Sequence, residues 1–268
     1  MLDWVAGGGF LSAGGKRLEW AGFGERRGNG PVIVLLHEGL GCVALWRDFP
    51  RQLAAATGLA VFAYSRAGYG QSDGCDLPRP LDYMTREAVE VLPGVLDALG
   101  AGRVILMGHS DGATIASEHA GRVRDARVAG LVLMAPHFFA EPMGLAEIAR
   151  AKSAFEATDL REKMARYHRD PDMAFRGWND AWLDPDFARW NVAASIERIA
   201  VPALVIQGRE DQYGTLAQVE AFERCSQAPV DVLVLDECRH APHFDQPGEV
   251  IGAVKGFAES VPRCDQHP

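Results

Sequence analysis

The 268-residue chain has few cysteines, and they form no recognisable pattern. The five thiols are odd in number, widely spaced and free of a Cys-x-x-Cys pair, which argues against a disulfide framework, a zinc site or a cysteine nucleophile of known signature. Reduced thiols fit this usage best, so we expect a cytoplasmic protein. The five are Cys42, Cys75, Cys225, Cys238 and Cys264.

The chain also lacks an excess of positive charge and any long apolar run. Its 27 basic and 36 acidic residues give a net charge of −9, which repels phosphate backbones and makes nucleic acid a poor partner. No stretch approaches the ~20 consecutive apolar residues of a membrane span. The acidic start, followed by glycine-broken apolar residues, does not resemble an export signal. We therefore expect no membrane partner, while homo-oligomerisation stays open.

What the chain does have is an alternation of short aliphatic runs with helix-length segments. Unbroken runs rich in β-branched residues are typical of strands in a parallel sheet covered on both faces. The alternation predicts an α/β fold with a doubly wound sheet. The predicted strands lie at residues 32–37, 59–65, 103–109, 128–136, 203–208 and 230–236, and the predicted helices at 45–56, 82–99, 112–122, 214–226 and 247–260.

Two segments break this alternation. The first thirty residues have the pattern of two short strands joined by a Gly-Gly turn, which would form an antiparallel edge. Residues 137–199 contain helix formers, prolines and three tryptophans but no aliphatic strand, so we predict an inserted helical lid there. The predicted organisation is one core formed by residues 1–136 and 200–268, with a helical cap at 137–199.

One serine lies between two glycines where an aliphatic run gives way to a helical pattern. The motif is Gly108-His109-Ser110-Asp111-Gly112. Composition alone yields about 0.1 chance matches to Gly-x-Ser-x-Gly, so the context carries the argument. A sharp turn from strand to helix needs small residues on either side of a nucleophile, and it places the hydroxyl at a helix N-terminus, which favours developing negative charge. The alternative is that Ser110 only caps the helix.

A serine nucleophile needs a base and a carboxylate, and both follow in the order Ser, Asp, His. Asp211 follows the fifth predicted strand, where a turn-forming or capping role is the alternative. His240 and His243 follow the sixth. We predict that Asp211 orients His240 and that His240 deprotonates Ser110, with His243 as the alternative base. The other carboxylates of these loops are Glu210, Asp236 and Glu237.

In these features the chain resembles the α/β-hydrolase fold family, from "VIVLLHEGLG" to the final helix. In that family the last loop often reads Gly-His-x-Pro-His, with the first histidine catalytic. Here Arg239 replaces the glycine and His240 takes the catalytic position. The resemblance implies a mostly parallel central sheet with an antiparallel N-terminal edge, helices on both faces, an inserted helical lid, and serine-hydrolase chemistry. Such chemistry requires no cofactor and no metal.

Attack on a carbonyl creates an alkoxide that needs N–H donors. The resemblance assigns one donor to the backbone of Asp111, directly after the nucleophile. The other would come from the loop "HEGLG" at residues 37–41, with Gly39 as the donor and Leu40 as the alternative one residue along. Glu38 stands in this loop where the family usually has glycine.

A serine at the turn disfavours the family's dehalogenase and epoxide hydrolase branches, which use aspartate there. We expect carboxylesterase-like cleavage of a small-molecule ester or related acyl compound through an acyl-enzyme on Ser110. The enzymatic alternatives are C–C bond hydrolysis of the meta-cleavage product type and a perhydrolase activity. The alternative from another class is a non-catalytic small-ligand binder on the same fold. Candidate pocket walls are Phe138, Phe139, Trp178 and Trp182.

Overall fold

The computed structural model describes residues 2–4, 7–26 and 30–261. Its centre is an eight-stranded sheet with the spatial order β1-β2-β4-β3-β5-β6-β7-β8. The six strands from β3 to β8 run parallel, and the first two are antiparallel to their neighbours. The strands are β1 (Gly8–Ala13), β2 (Lys16–Phe23), β3 (Val32–Leu36), β4 (Val61–Tyr64), β5 (Val104–His109), β6 (Val128–Met134), β7 (Ala203–Gly208) and β8 (Val230–Leu235).

The N-terminal hairpin forms the antiparallel edge that the sequence predicted. Gly14 and Gly15 join its two strands with φ angles of 56° and 70°. Two consecutive positive φ values make the turn that matches the twist of a two-residue hairpin, and glycine adopts them without steric cost. The pairing of Ala13 with Lys16 closes the hairpin.

Ten α-helices in the described residues surround the sheet or follow its strands. The helical segments lie where the sequence predicts them, with local differences. The predicted helix at 45–56 starts as a 3₁₀ turn, Val43–Trp46, before α1 begins. The helices are α1 (Phe49–Thr57), α2 (Tyr83–Arg86), α3 (Leu92–Leu99), α4 (Asp111–Glu118), α5 (Pro142–Ala157), α6 (Leu160–Met164), α7 (Pro171–Trp182), α8 (Leu216–Cys225), α9 (Pro242–Asp245) and α10 (Pro247–Ser260).

The predicted helix at 82–99 is interrupted by a π-helical stretch, Glu87–Val91, between α2 and α3. Pro93 lies at the start of α3. Because proline has no N–H, it cannot donate the hydrogen bond that a continuous α-helix would make one turn back. The interruption therefore has a local cause in the sequence.

Both faces of the sheet are covered, which explains why its central strands are apolar throughout. All five residues of β3 are buried, and consecutive residues belong to two separate cores. Val34 packs in a core with α3, α4 and α8. Leu35 packs in a second core with α1 and α10. The unbroken aliphatic pattern thus reflects burial on two sides.

The segment between β6 and β7 holds α5, α6 and α7 and lies over one end of the sheet. Aromatic contacts contribute to its packing. The Phe155 and Phe175 rings stack at 3.9 Å between centroids, and Phe187 stacks on Trp190 at 5.1 Å. A hydrogen bond from the Asn179 amide to the Ile148 carbonyl at 2.9 Å also joins α7 to α5. Side-chain contacts thus hold the inserted helices together, whereas backbone hydrogen bonds join the strands of the sheet.

No helix among the described residues is long and apolar enough to span a membrane. Four of the five cysteines lie in the described part of the chain and carry free thiols: Cys42, Cys75, Cys225 and Cys238. Cys264 lies outside the described residues.

Candidate active site

The serine of the glycine motif lies on a sharp turn between β5 and α4. Ser110 has φ 54° and ψ −119°, a conformation that a residue with a side chain rarely adopts. Its N–H donates to the carbonyl of Met134 at 2.9 Å, which holds the turn against β6. Its hydroxyl makes no capping hydrogen bond to α4, contrary to the alternative role considered from the sequence. Strain of this kind is typical of functional positions.

The two flanking glycines leave room for this turn. A Cβ on Gly108 would collide with the backbone of Gly112. A Cβ on Gly112 would in turn collide with the carbonyl of Leu36 at the end of β3. Because these contacts involve backbone atoms, they cannot be relieved by a change of rotamer. The motif thus serves the close approach of α4 to the sheet.

The histidine loop brings His240 against Asp211. The ring Nδ1 of His240 lies 2.9 Å from Oδ1 and 2.8 Å from Oδ2 of the carboxylate. Asp211 is held from the other side by the Gln207 amide at 2.8 Å and the Tyr213 N–H at 2.8 Å. Burial alone would raise the pKa of Asp211, but the charge and hydrogen bond of His240 outweigh it and hold the pKa at about 2.

His240 is oriented by its neighbours as well as by the carboxylate. Nε2 of His109, the residue before the serine, donates to the backbone carbonyl of His240 at 2.6 Å. The His240 ring packs against Tyr213 at 4.7 Å and His137 at 5.5 Å between centroids. Since Nδ1 is bound to Asp211, Nε2 is the nitrogen left to exchange a proton.

The competing residues lie elsewhere. His243 is buried and packs against Trp46 at 5.0 Å and Phe49 at 5.3 Å between centroids, away from the cavity described below. Burial, with the neighbouring histidines, lowers its pKa well below the usual value.

Within the described residues, the other carboxylates of these loops make no hydrogen bond to His240. Glu210 accepts a hydrogen bond from the Cys238 N–H. Asp236 pairs with Arg209, and Glu237 is exposed with φ 53°.

The loop at residues 37–41 is anchored from beneath. The carbonyl of Glu38 accepts hydrogen bonds from His37 Nδ1 at 2.7 Å and Arg66 Nη2 at 3.0 Å. His37 Nε2 accepts from the Arg66 N–H at 3.0 Å. Both ring nitrogens of His37 are thus used in the fold, and burial lowers its pKa well below the usual value. His37 is a structural residue of the loop.

This anchoring bears on the predicted N–H donors. In a planar trans peptide the N–H of Gly39 points opposite to the carbonyl of Glu38, and therefore away from Arg66. His168 donates from Nε2 to the carbonyl of Leu40 at 3.0 Å. Within the described residues, the N–H groups of Gly39, Leu40 and Asp111 have no acceptor. All three remain available to an oxyanion.

The side chain of Asp111 points into the protein interior. The Tyr83 hydroxyl donates to its Oδ2 at 2.5 Å, and Arg66 lies 3.6 Å away. The indole Nε1 of Trp182, on α7, donates to the same Tyr83 hydroxyl at 3.0 Å. A chain of hydrogen bonds thus connects the inserted helices to the residue after the serine.

A cavity of about 190 Å³ opens between the sheet end and the inserted helices. The predicted site residues that line it are Ser110, His240, Gly39, Leu40, Trp178 and Trp182. A Cβ on Gly39 would collide with the Trp178 indole, so this loop and α7 are in direct contact. The structure therefore brings the predicted nucleophile, base and donor loop to one cavity.

Two predicted pocket walls are not at the cavity. Phe138 is fully buried, packs against Phe222 at 5.5 Å between centroids and donates its N–H to Gln218 at 2.8 Å. Phe139 pairs with Asn191 in an isolated bridge. Both lie shortly after β6 and contact α8, so aromatic character alone was a poor guide.

Six lining residues were not predicted as part of the site: Glu38, His137, Glu141, Gly144, Ile148 and Tyr213. The sequence contained some indication of Glu38, because it stands where the family usually has glycine. It contained a weaker indication of Tyr213, which lies two residues after Asp211. Burial and the neighbouring His240 lower the pKa of His137 to about 3, which keeps its ring neutral near pH 7.

Comparisons with known proteins agree with this fold. A model of the alpha/beta hydrolase family matches residues 33–253. The chain is 34% identical over 113 residues to Epoxide hydrolase 2 of Siraitia grosvenorii. This alignment covers 41% of the chain but only 34% of the relative, so the chain spans about a third of that relative's length.

Two further similarities extend over nearly the whole chain. The chain is 23% identical over 311 aligned residues to Proline iminopeptidase of Heyndrickxia coagulans, with 94% of this chain and 99% of the relative covered. Its structure is similar to that of the enol-lactonase from Burkholderia xenovorans LB400, with a TM-score of 0.73 at 20% identity. That similarity covers 94% of this chain and 100% of the other.

Proposed function

Because this chain belongs to the alpha/beta hydrolase family, we propose that it hydrolyses a carboxylic ester or a related acyl compound. Ser110 is the nucleophile, His240 the base and Asp211 the carboxylate that orients it. The observation that carries this proposal is the contact of His240 Nδ1 with Asp211 at 2.8 Å, in a loop that also lines the cavity at Ser110. The contact between His240 and Asp211, and the cavity that His240 shares with Ser110, support this assignment, because activation of a serine hydroxyl requires an oriented base nearby.

The reaction proceeds through an acyl-enzyme. As Ser110 attacks the substrate carbonyl, its proton moves to Nε2 of His240, and Asp211 stabilises the imidazolium. The alkoxide accepts hydrogen bonds from the N–H of Asp111 and from the loop donor at Gly39 or Leu40. His240 then gives its proton to the leaving alkoxide. A water molecule, deprotonated by His240, attacks the acyl group and releases the acid and the free serine.

The names of the relatives cover several reactions, and the site favours one of them. A hydroxyl at position 110 suits acyl transfer, whereas the family's epoxide-opening branch uses aspartate at this position. A C–C bond hydrolase of the meta-cleavage type must bind a dienoate carboxylate. The residues that line the cavity in the described part of the chain include no Lys or Arg to receive it. The cavity thus supports ester hydrolysis better.

An active-site label tests the proposal. Wild type should react covalently with a fluorophosphonate probe at Ser110, and Ser110→Ala should lose the label. Ser117→Ala is the matched control, because Ser117 is buried in the same helix and its hydroxyl only donates to the Ala113 carbonyl. We expect this control to keep the label. Hydrolysis of p-nitrophenyl butyrate should fall by at least ~10³ in Ser110→Ala alone.

Two outcomes would overturn the assignment. A folded wild-type protein that takes no label and hydrolyses no ester would be a small-ligand binder. Faster turnover of a meta-cleavage dienoate than of any p-nitrophenyl ester would make the chain a C–C bond hydrolase. Both assays use the full chain at the same pH, with circular dichroism as the check on folding.

A further inference from the structure

The cavity contains a carboxylate that acyl hydrolysis itself does not require. Glu38 lines it beside Gly39, and about a third of its side chain, 32%, is exposed. Its Oε2 lies 3.7 Å from Nδ1 of His109. Burial alone would raise the pKa of Glu38, but its neighbours His109 and Arg66 outweigh burial and lower the pKa. Glu38 is therefore ionised at neutral pH.

A second carboxyl group lines the cavity from the inserted segment. Oε1 of Glu141 accepts a hydrogen bond from the Thr215 hydroxyl at 2.7 Å. Its Oε2 accepts from the Thr215 N–H at 3.0 Å and from the Gln218 amide at 2.7 Å. These donors are all neutral, so they hold Glu141 in place without supplying a countercharge.

Little positive charge reaches the cavity from the protein. Of the described residues that line it, none is Lys or Arg. Arg66 is fully buried behind the donor loop, and it points at the carbonyls of His37 and Glu38 and at Asp111. The remaining walls are largely aromatic, with Trp178, Trp182 and Tyr213. Ionised carboxylate beside aromatic rings is the environment that binds ammonium groups.

The position of Glu38 makes this charge relevant to catalysis. Glu38 directly precedes the predicted donor Gly39, so its negative charge lies close to where an oxyanion would form. Two negative charges at short range repel each other in a partly desolvated site. A positive group on the substrate would offset this repulsion in the transition state, and would thereby raise kcat/KM.

We propose that the natural substrate carries a protonated amine, which binds against Glu38 and the tryptophan walls while Ser110 attacks the acyl carbon. This inference rests on the proposed ester hydrolysis. It assigns a substrate class, cationic acyl compounds, and it makes Glu38 the residue that selects them. Acyl compounds with a carboxylate should be disfavoured by the same charges.

Three matched aryl acetates test the inference. 4-(Aminomethyl)phenyl acetate, 4-ethylphenyl acetate and 4-(carboxymethyl)phenyl acetate share the scissile bond and differ in charge. In wild type we expect kcat/KM for the ammonium ester to exceed that of the neutral ester by about tenfold or more, and the carboxylate ester to be slowest. Glu38→Gln should lower the ammonium-to-neutral ratio at least ~5-fold. The neutral ester serves as the internal reference in each variant.

Glu162→Gln is the control for a change in net charge. Glu162 is exposed on α6 and does not line the cavity, so its variant should keep the wild-type ratio. A ratio near one in wild type, or a ratio unchanged in Glu38→Gln, would overturn the substrate class. If the neutral ester is hydrolysed and Ser110 is labelled in that case, the ester hydrolase proposal survives. If no ester is hydrolysed and no label forms, the proposed function itself fails.

A measurement on wild type alone keeps the test independent of how the variants fold. Benzylammonium should protect Ser110 from the fluorophosphonate at concentrations where benzyl alcohol and benzoate protect little. Equal protection by all three compounds contradicts the inference.

Discussion

The two sides of the cavity are held in place in different ways. On the sheet side, Ser110, Asp211 and His240 follow strand ends, and hydrogen bonds such as the one from the Ser110 N–H to Met134 fix their positions. On the opposite side, Trp178 and the rest of α7 come from the inserted helices, which are held by ring contacts and side-chain hydrogen bonds. The first side depends on backbone geometry, the second on side-chain packing.

This difference separates the groups proposed to react from the aromatic part of the cavity wall. Backbone hydrogen bonds allow little displacement, which suits groups that must meet within hydrogen-bond distance of each other. Packed side chains tolerate substitutions of similar volume. The two sides meet where Trp182 donates to Tyr83, and Tyr83 donates to Asp111. We therefore expect changes at Ser110, His240 and their turns to affect rate or folding, and changes on the helical side to affect binding.

The largest effect should come from the sheet side, at the histidine. His240→Ala should lower kcat by at least ~10³, because the members of the proposed triad would act as a unit. His243→Ala should keep most activity but lose about 1–3 kcal/mol of stability, since its buried ring fills space between Trp46 and Phe49. Steady-state kinetics and urea unfolding measure both. Full activity in His240→Ala would move the base elsewhere.

The next-largest effect should be on stability, at a glycine of the turn on the sheet side. Gly112→Ala should destabilise the fold by about 3 kcal/mol or more, because its Cβ meets the Leu36 carbonyl. Gly256→Ala is the contrasting variant: a Cβ there meets nothing within 4 Å, in the middle of α10. It should stabilise the protein by about 0.5–1 kcal/mol. Equal unfolding free energies for the two variants would contradict the steric account.

A smaller effect concerns pH and Asp211. Its pKa of about 2 lies below the ordinary 3.8. A depressed pKa means that the unfolded chain binds the proton first, so this stabilisation is complete above about pH 4 and is lost as pH falls through 2. It amounts to about 2 kcal/mol. The stability difference between wild type and Asp211→Asn should shrink between pH 5 and pH 2 in urea unfolding; a constant difference would contradict this.

The smallest effect should come from the helical side. Trp178→Phe keeps an aromatic ring over the Gly39 loop but removes part of the cavity wall, so KM should rise about threefold to tenfold with kcat nearly unchanged. Trp190→Phe is the control, because Trp190 stacks on Phe187 and does not line the cavity. A large fall in kcat with unchanged KM in Trp178→Phe would show that the two sides are not separable.

Features set by neighbouring residues in the chain could be predicted from the sequence. Unbroken aliphatic runs indicated the parallel strands, paired glycines indicated the hairpin, and the spacing of Gly108 and Gly112 indicated the turn at Ser110. The order of Asp211 and His240 after successive strands also indicated their meeting, because parallel strands end at the same edge of a sheet. In each case the signal is local in the sequence: it is either a pattern within one element or the position of a residue just after a strand.

The composition of the cavity was decided by the tertiary structure. Phe138 and Trp178 are both aromatic residues of the inserted segment, yet only Trp178 faces the cavity. Glu38 and Glu141 come from loops about a hundred residues apart and line the same space. Which side chains face the cavity depends on packing against elements distant in the chain. No local sequence pattern determines this.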